Sequence, residues 1–489
     1  MIRRLSTLIF SLIICSALNA QISNTMYFMD RVPEVSQLNP AVQPKCNVFI
    51  GTFFSGFQLN FGNNSLSLND IIFSKKITVN NRQRDSMVTF LYDSATQSNF
   101  LKTLKGQNSL FFNVQYDILN LGFRVQDMYF TFGITARSYF SISYPHDIVK
   151  LFLTGIDVDT SGNTTKVYDF KNFGVNSTAF GEFSFGFSKK INEELTFGIR
   201  GKLLRGTSIF STSNKKLQLQ SSAPKDSLFK LVISSDATIN ISQPLYDITL
   251  DSTNKPKFTQ RKKISIKPFA NMGLGIDLGA TYSGIDQFIF SASLIDFGFI
   301  RWNDNVTNLK LNGNFTYPPK DDTINFLSNK SPDIFKKITD SLQNIFKFTQ
   351  QNTAFTTWLP TKIYIGAEYF PETYFSLGLL SATQYYQSKL DEQIMVSANF
   401  RPLKMLMFSG SYSIIGNGFT NVGFGMSLRF SALNFYIISD NLPIQFAKYN
   451  SIPIPYKAQN FNLRMGFNLV FGCNNGQKKK LKDKPLIWE

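Results

Sequence analysis

The sequence predicts an all-β protein, a transmembrane antiparallel β-barrel of about 14 strands with long extracellular loops. Three observations predict it. Apolar and small-or-polar side chains alternate strictly over long stretches. These stretches reach about ten residues or more, beyond the roughly 5–6 of an average soluble strand and enough to cross a bilayer at a tilt. The connections between them are alternately tight and long.

The alternation is plainest at Val422, Phe424, Met426, Leu428 and Phe430, interleaved with Gly423, Gly425, Ser427 and Arg429. It recurs at Met272, Leu274, Ile276 and Leu278 against Gly273, Gly275, Asp277 and Gly279, and again over 460–471. Period two gives a strand one greasy face and one polar face. The mean hydropathy of −0.08 fits a barrel, because half of each strand faces a polar lumen. So do the 50 Phe and 19 Tyr residues, which suit a lipid-facing wall.

Along the chain, Arg3 and Arg4 precede an apolar run over 5–18, and Ala20 before Gln21 suits a cleavage point. Residues 1–20 therefore read as a signal peptide, which implies export. Residues 21–46 have no strand period. They contain Asn39-Pro40-Ala41, where Asn is a good helix cap and Pro suits the first helical position. Residues 47–472 form the barrel. Its candidate strands lie near 47–61, 110–124, 127–137, 180–190, 194–206, 269–283, 286–299, 361–370, 373–385, 393–401, 405–415, 420–430, 432–439 and 460–472. In the second strand the apolar phase changes between Ile118 and Leu119, which suggests a bulge. The even-numbered connections are tight, as at Val125-Gln126, Gly284-Ile285 and Pro371-Glu372. The odd-numbered ones include 62–109, 138–179, 207–268, 300–360 and 440–459. Short periplasmic turns and long outward loops are the outer-membrane arrangement, and an even strand count returns both termini to the periplasm. Residues 473–489, with five lysines between Lys478 and Lys484, read as a basic, solvated periplasmic tail.

The long loops carry helical patterns. Ser331-Pro332-Asp333 opens one whose apolar face is Ile334, Ile338, Leu342, Ile345 and Phe346. A second spans 86–105, with Phe90, Leu91, Phe100, Leu101 and Leu104. Trp302 and Trp358, at the loop-side ends of neighbouring strands, suit an interfacial aromatic belt.

Several function classes are disfavoured. Removing Arg3 and Arg4 with the leader takes the net charge from +17 to +15. The positive residues are spread along an exported chain, so anionic lipid headgroups fit them better than nucleic acid. The one histidine, His146, lies in a loop beside Asp147 without a nucleophile motif, so no catalytic residue is assigned. Scattered cysteines and one histidine form no metal cluster, and Gly273, Gly275 and Gly279 miss the dinucleotide spacing by one residue. No cofactor is implied. The predicted lumen face carries Arg137, Glu182, Arg200, Lys202, Asp277, Glu368, Arg401, Arg429 and Arg464. Such charges can pair among themselves, hold a plug, or line an anion-preferring path.

Asn39-Pro40-Ala41 just before a barrel of this size resembles the FadL superfamily of outer-membrane proteins, whose PorV branch serves type IX secretion in Bacteroidota. The phrases Gly275-Ile276-Asp277-Leu278-Gly279-Ala280, Leu294-Ile295-Asp296-Phe297-Gly298-Phe299 and Ser439-Asp440-Asn441-Leu442 are similar to an uncharacterised Bacteroidota-type branch of it. The resemblance implies that 21–46 plugs the lumen. It also implies one of two non-enzymatic uses. A FadL-like barrel passes small hydrophobic molecules, whereas a PorV-like one is the partner of a secretion-machinery or secreted protein. Outer-membrane lipids surround either.

Cys46 and Cys473 survive removal of the leader. One precedes the first strand and the other follows the last, and in a closed barrel those strands are antiparallel neighbours. The periplasm permits disulfides. The pair can staple the seam, or stay as two thiols if barrel shear separates them.

Overall fold

The computed structural model describes residues 24–79, 82–154, 166–222, 230–263, 267–317, 347–386, 389–415, 418–442, 446–449, 452–455 and 459–473. The signal peptide expected over 1–20, the lysine tail and the helical pattern opening at Ser331 lie outside the described residues.

Fourteen antiparallel strands close into one barrel. The first is split into Val48–Gly51 and Gly56–Asn63. There follow Gln107–Val125, Met128–Pro145, Gly174–Lys190, Leu195–Ser222, Met272–Ile285 and Phe288–Trp302. The remaining seven are Thr361–Glu372, Phe375–Tyr386, Lys389–Leu403, Leu406–Ile415, Gly418–Phe430, Leu433–Ser439 and Asn460–Phe471. Each pairs with its neighbour in the chain, and Asn460–Phe471 pairs with both pieces of the first strand, which closes the ring. No wall strand is left with an open edge at the seam.

The alternation sorts side chains as a membrane barrel requires. In the fourth strand Phe183 and Phe185 are exposed on the outer face, and Glu182 between the walls is buried. In the tenth, Ile394 and Val396 face out while Gln393, Ser397 and Asn399 are buried. A soluble protein has the reverse distribution. Here the exposed apolar face is the one that meets lipid.

Several strands run further than their apolar patterns. The fifth has 28 residues. Its lower part pairs with the sixth strand, and its upper part continues past the ring and pairs with Lys230–Ser242. That strand pairs in turn with Val306–Tyr317, which meets Thr349–Gln351. The wall thus rises on one side into a sheet built from two long connections, because polar alternation continues where the lipid-facing Phe and Ile stop. Above another sector, helices Ser94–Thr103 and His146–Thr154 close over a cluster of Leu66, Phe100 and Leu104 with Phe90, Leu101, Val149 and Leu153.

Two expectations need correction. The helical pattern over 86–105 is divided: Arg82–Thr89 is a strand paired with Ile72–Val79, and the helix begins at Ser94, where Asp93 accepts from the Thr96 amide at 2.8 Å. A capping carboxylate, not the apolar spacing, sets that start. Trp302 does not join a belt. It points inward and is fully buried, its ring over Gly206 and its Nε1 donating to Thr357 Oγ1 at 2.9 Å, whereas Trp358 is exposed on the outer face. The bulge expected in the second strand is present as a register shift between Asp117 and Leu119.

Candidate functional site

The lumen is occupied by the protein's own N-terminal segment. Residues 24–45 enter it as two short turns of 3-10 helix, Thr25–Phe28 and Pro33–Gln37, the second started by a proline at its first position. Met26, Tyr27, Phe28, Met29, Val32, Val35 and Leu38 pack against Ile295, Tyr364, Leu380, Met395, Met407, Tyr436 and Ile438 of the wall. This is the main apolar core of the molecule, and it lies inside the barrel.

The plug is hydrogen-bonded around the ring. The backbone amides of Asn24 and Thr25 donate to Asp440 Oδ1 at 3.1 and 2.6 Å, and Asn24 Nδ2 donates to Gln393 at 2.6 Å. Tyr27 donates to Ser291, Gln37 to Asp117, and Asn434 to the Arg31 carbonyl. Asp30 pairs with Arg401 at 3.1 Å, and with Lys45; Arg401 also reaches Glu368 at 3.2 Å.

Asn39-Pro40-Ala41 lies against the fifth, sixth and seventh strands. Asn39 Oδ1 accepts from the Ala41 amide at 3.0 Å, and its Nδ2 points at the carbonyls of Ala280 and Ala292. The tripeptide fits because the wall there is glycine. A Cβ on Gly198 would stand 2.2 Å from the Pro40 backbone, and one on Gly279 would stand 2.1 Å from Asn39 Oδ1.

Beside the plug, the predicted lumen charges separate into groups. Glu182, Arg200 and Asp277 meet in one buried network. Arg137 bridges Glu182 at 3.1 Å and Asp296 at 2.8 Å. Lys202 lies 2.8 Å from Asp277 and 2.6 Å from Asp296, Lys362 lies 3.0 Å from Asp296, and Arg200 lies 3.8 Å from Asp277. Glu368 belongs to the Asp30–Arg401 group. Arg464 donates to Gln37 of the plug at 2.5 Å and to Gln58 at 3.3 Å. Arg429 stands apart at the turn end, donating to the Lys404 carbonyl. Sequence reasoning missed Asp296, the acid at the centre. Simple alternation places it on the outer face with Leu294.

Glu34, also missed, is fully buried beside Arg464 and Asn468 and makes no ion pair among the described residues. Burial pushes its carboxyl up to about 8, partly offset by Arg464. Only its place in the plug, not its spacing, could have marked it.

Two further features frame the plug. Cys46 and Cys473 are disulfide-bonded across the seam, at the end of the barrel that carries the tight turns. Beyond them the first strand is interrupted. Ile50 pairs with Leu469 and Phe57 with Met465, so seven steps along the first strand face four along its neighbour. The first strand thus carries three residues more than its neighbour, and 52–55 leave the regular ladder with Phe53 and Phe54 exposed, while the Phe467 amide donates to the Phe54 carbonyl at 2.8 Å. Tyr436 donates to the Ser55 carbonyl, and Tyr116 to that of Phe53.

A closed, plugged, lipid-facing barrel is thus the class of protein that fold and lumen define. Residues 40–440 match a family of unknown function, DUF5723, and the chain belongs to that family. No curated protein matches the chain. Among solved structures it is similar to a Pseudomonas aeruginosa FadL homologue, at 10% identity and TM-score 0.39, covering 94% of this chain and 100% of that one. It is also similar to the Ralstonia pickettii toluene transporter TbuX, at 8% identity and TM-score 0.39, covering 93% and 97%. A third is the Pseudomonas putida toluene transporter TodX, at 10% identity and TM-score 0.36, covering 93% and 94%.

Proposed function

We propose that this is an outer-membrane barrel, FadL-like in use, through which small hydrophobic molecules pass, with 21–46 as its plug. The observation that carries the reading is the pairing of a filled lumen with an interruption of the first wall strand beside it. The plug packs the lumen with apolar side chains and ties them to the ring, which opposes the passage of a polar solute. Residues 52–55 leave the ladder next to the plug, at Ser55 and Tyr436. An apolar molecule that loosens the plug there has a short way to the lipid, where its transfer is favourable.

The sheet that rises from the fifth strand favours a second use, PorV-like docking of a secreted or secreting protein. A separate hairpin packed on it, Tyr246–Leu250 with Pro256–Gln260, exposes Tyr246 and Phe258, with Leu245 exposed beside it.

The test is flux. Vesicles containing the purified barrel take up a small hydrophobic probe faster than empty vesicles and exclude a sugar of similar size; deletion of 24–45 admits the sugar. Equal probe entry with and without the barrel rejects passage. If a secretion protein also co-purifies from native membranes, the docking reading replaces it.

A further inference from the structure

The buried charge network has one more cation than acid. Arg137, Arg200 and Lys202, all buried, and Lys362, 20% exposed at the edge of the network, face Glu182, Asp277 and Asp296. The next acid along the wall, Asp117, already accepts from Gln37, Gln115 and Thr135, and Arg464 answers it across Gln37. A net charge carried by a largely buried network is costly unless something compensates it.

A cavity lies beside this surplus. Its walls include Arg137, Arg200, Glu182, Asn120 and Thr131, and the plug contributes Gln37. It exists because Gly133 and Ser184 are small on the lumen face. It has room for one small guest of about the size of a water molecule. Two of its wall groups are buried donors with no acceptor among the described residues, Arg137 Nε and Asn120 Nδ2. Arg200 adds a guanidinium whose carboxylate partner is no nearer than 3.8 Å. Buried donors without acceptors are rare in a finished fold.

We propose that this cavity binds one small inorganic anion of halide size, held between Arg137 and Arg200 where the plug meets the wall. The anion accepts from Arg137 Nε, Asn120 Nδ2 and Arg200, and it cancels the surplus charge. Water would satisfy the donors but leave the charge. Because Gln37 forms one wall, the complete site exists only with the plug seated, so the anion stabilises the plugged state by mass action.

The full barrel in detergent is unfolded by heat in sodium chloride, bromide or gluconate at matched ionic strength. Chloride and bromide are expected to raise the midpoint saturably; gluconate, too large for the cavity, is not. Asn120→Ala removes one donor to a charged acceptor, so the halide concentration for half-maximal effect rises about tenfold. Arg200→Gln abolishes the halide effect. Crystals grown in bromide show an anomalous peak between Arg137 and Asn120. Identical midpoints in halide and gluconate, or bromide crystals without that peak, mean that the cavity holds water alone and overturn the proposal.

Discussion

Lys202 and Asp296 meet at 2.6 Å inside the barrel because the seventh strand carries one residue more than its partner. Ile276 pairs with Phe297 and Leu278 with Leu294, so Asp277 stands opposite both Ile295 and Asp296. Asp296 takes a left-handed φ of 61° and its amide donates to Asp277 Oδ1 at 2.7 Å. The bulge turns both residues inward. Ile295 joins the plug core, and Asp296 gathers Arg137, Lys202 and Lys362.

Removing that acid leaves Arg137, Arg200, Lys202 and Lys362 facing only Glu182 and Asp277. Asp296→Ala is expected to lower the unfolding free energy by about 3–5 kcal/mol, the usual effect of breaking a buried ion pair from one side. Asp247→Ala, which removes an exposed partner of Arg261, changes it by less than about 1 kcal/mol. Denaturant unfolding in lipid compares the two, and equal small losses would show that the network is not a structural centre.

Opening the seam should cost stability without changing the strand count. The Cys46→Ala, Cys473→Ala double variant is expected to lose about 2–5 kcal/mol, because the bridge joins residues 427 apart in the chain. Thiol titration of the unreduced protein should find neither cysteine free. Two titratable thiols would place the bridge outside the native protein.

Plug seating can be read from a buried reporter. Ser36 is 3% exposed, so Ser36→Cys should label slowly. Asn39→Ala removes the contacts to Ala41, Ala280 and Ala292, and Asp30→Asn weakens the tie to Arg401. Each should speed labelling several-fold while the barrel stays folded, since a lost buried hydrogen bond costs about 1–3 kcal/mol. Unchanged labelling in both variants would assign the plug's hold to its apolar side chains alone.

The same reporter should respond to pH through Glu34. Its carboxyl has an ordinary value of 4.5 and is raised by burial to about 8 in the seated plug. A raised value means that seating favours the protonated form. The stabilisation is therefore complete below 4.5 and is lost as pH rises through 8. Labelling of Ser36→Cys should be faster at pH 9 than at pH 5 beyond the reagent's own pH dependence, and Glu34→Gln should flatten the profile. A profile that Glu34→Gln leaves unchanged would assign the response to another group.

Most of the wall was legible from the chain, and the reason is local. Side chains on a strand alternate by geometry, so a lipid face and a lumen face each leave a period-two trace, and tight turns punctuate it. All fourteen wall strands show that trace, as does the phase slip at Ile118 and Leu119. Glu182, Arg200 and Asp277 could be placed on the lumen face for the same reason. What alternation cannot state is where it breaks or what lies across the barrel. The bulge that turns Asp296 inward is one residue long and leaves no apolar signature, so period two by itself does not put its carboxylate among the lumen charges. Trp302 faces inward because Gly206 on another strand makes room for it, a contact between distant parts of the chain. The partners of Asp30, Glu34 and Asn39 sit on strands hundreds of residues away, brought into reach only when the ring closes around the plug. The sequence alone determined a membrane barrel, its strand number and its two ends. Tertiary structure decided which charges meet and what fills the lumen, because those depend on register and closure rather than on period.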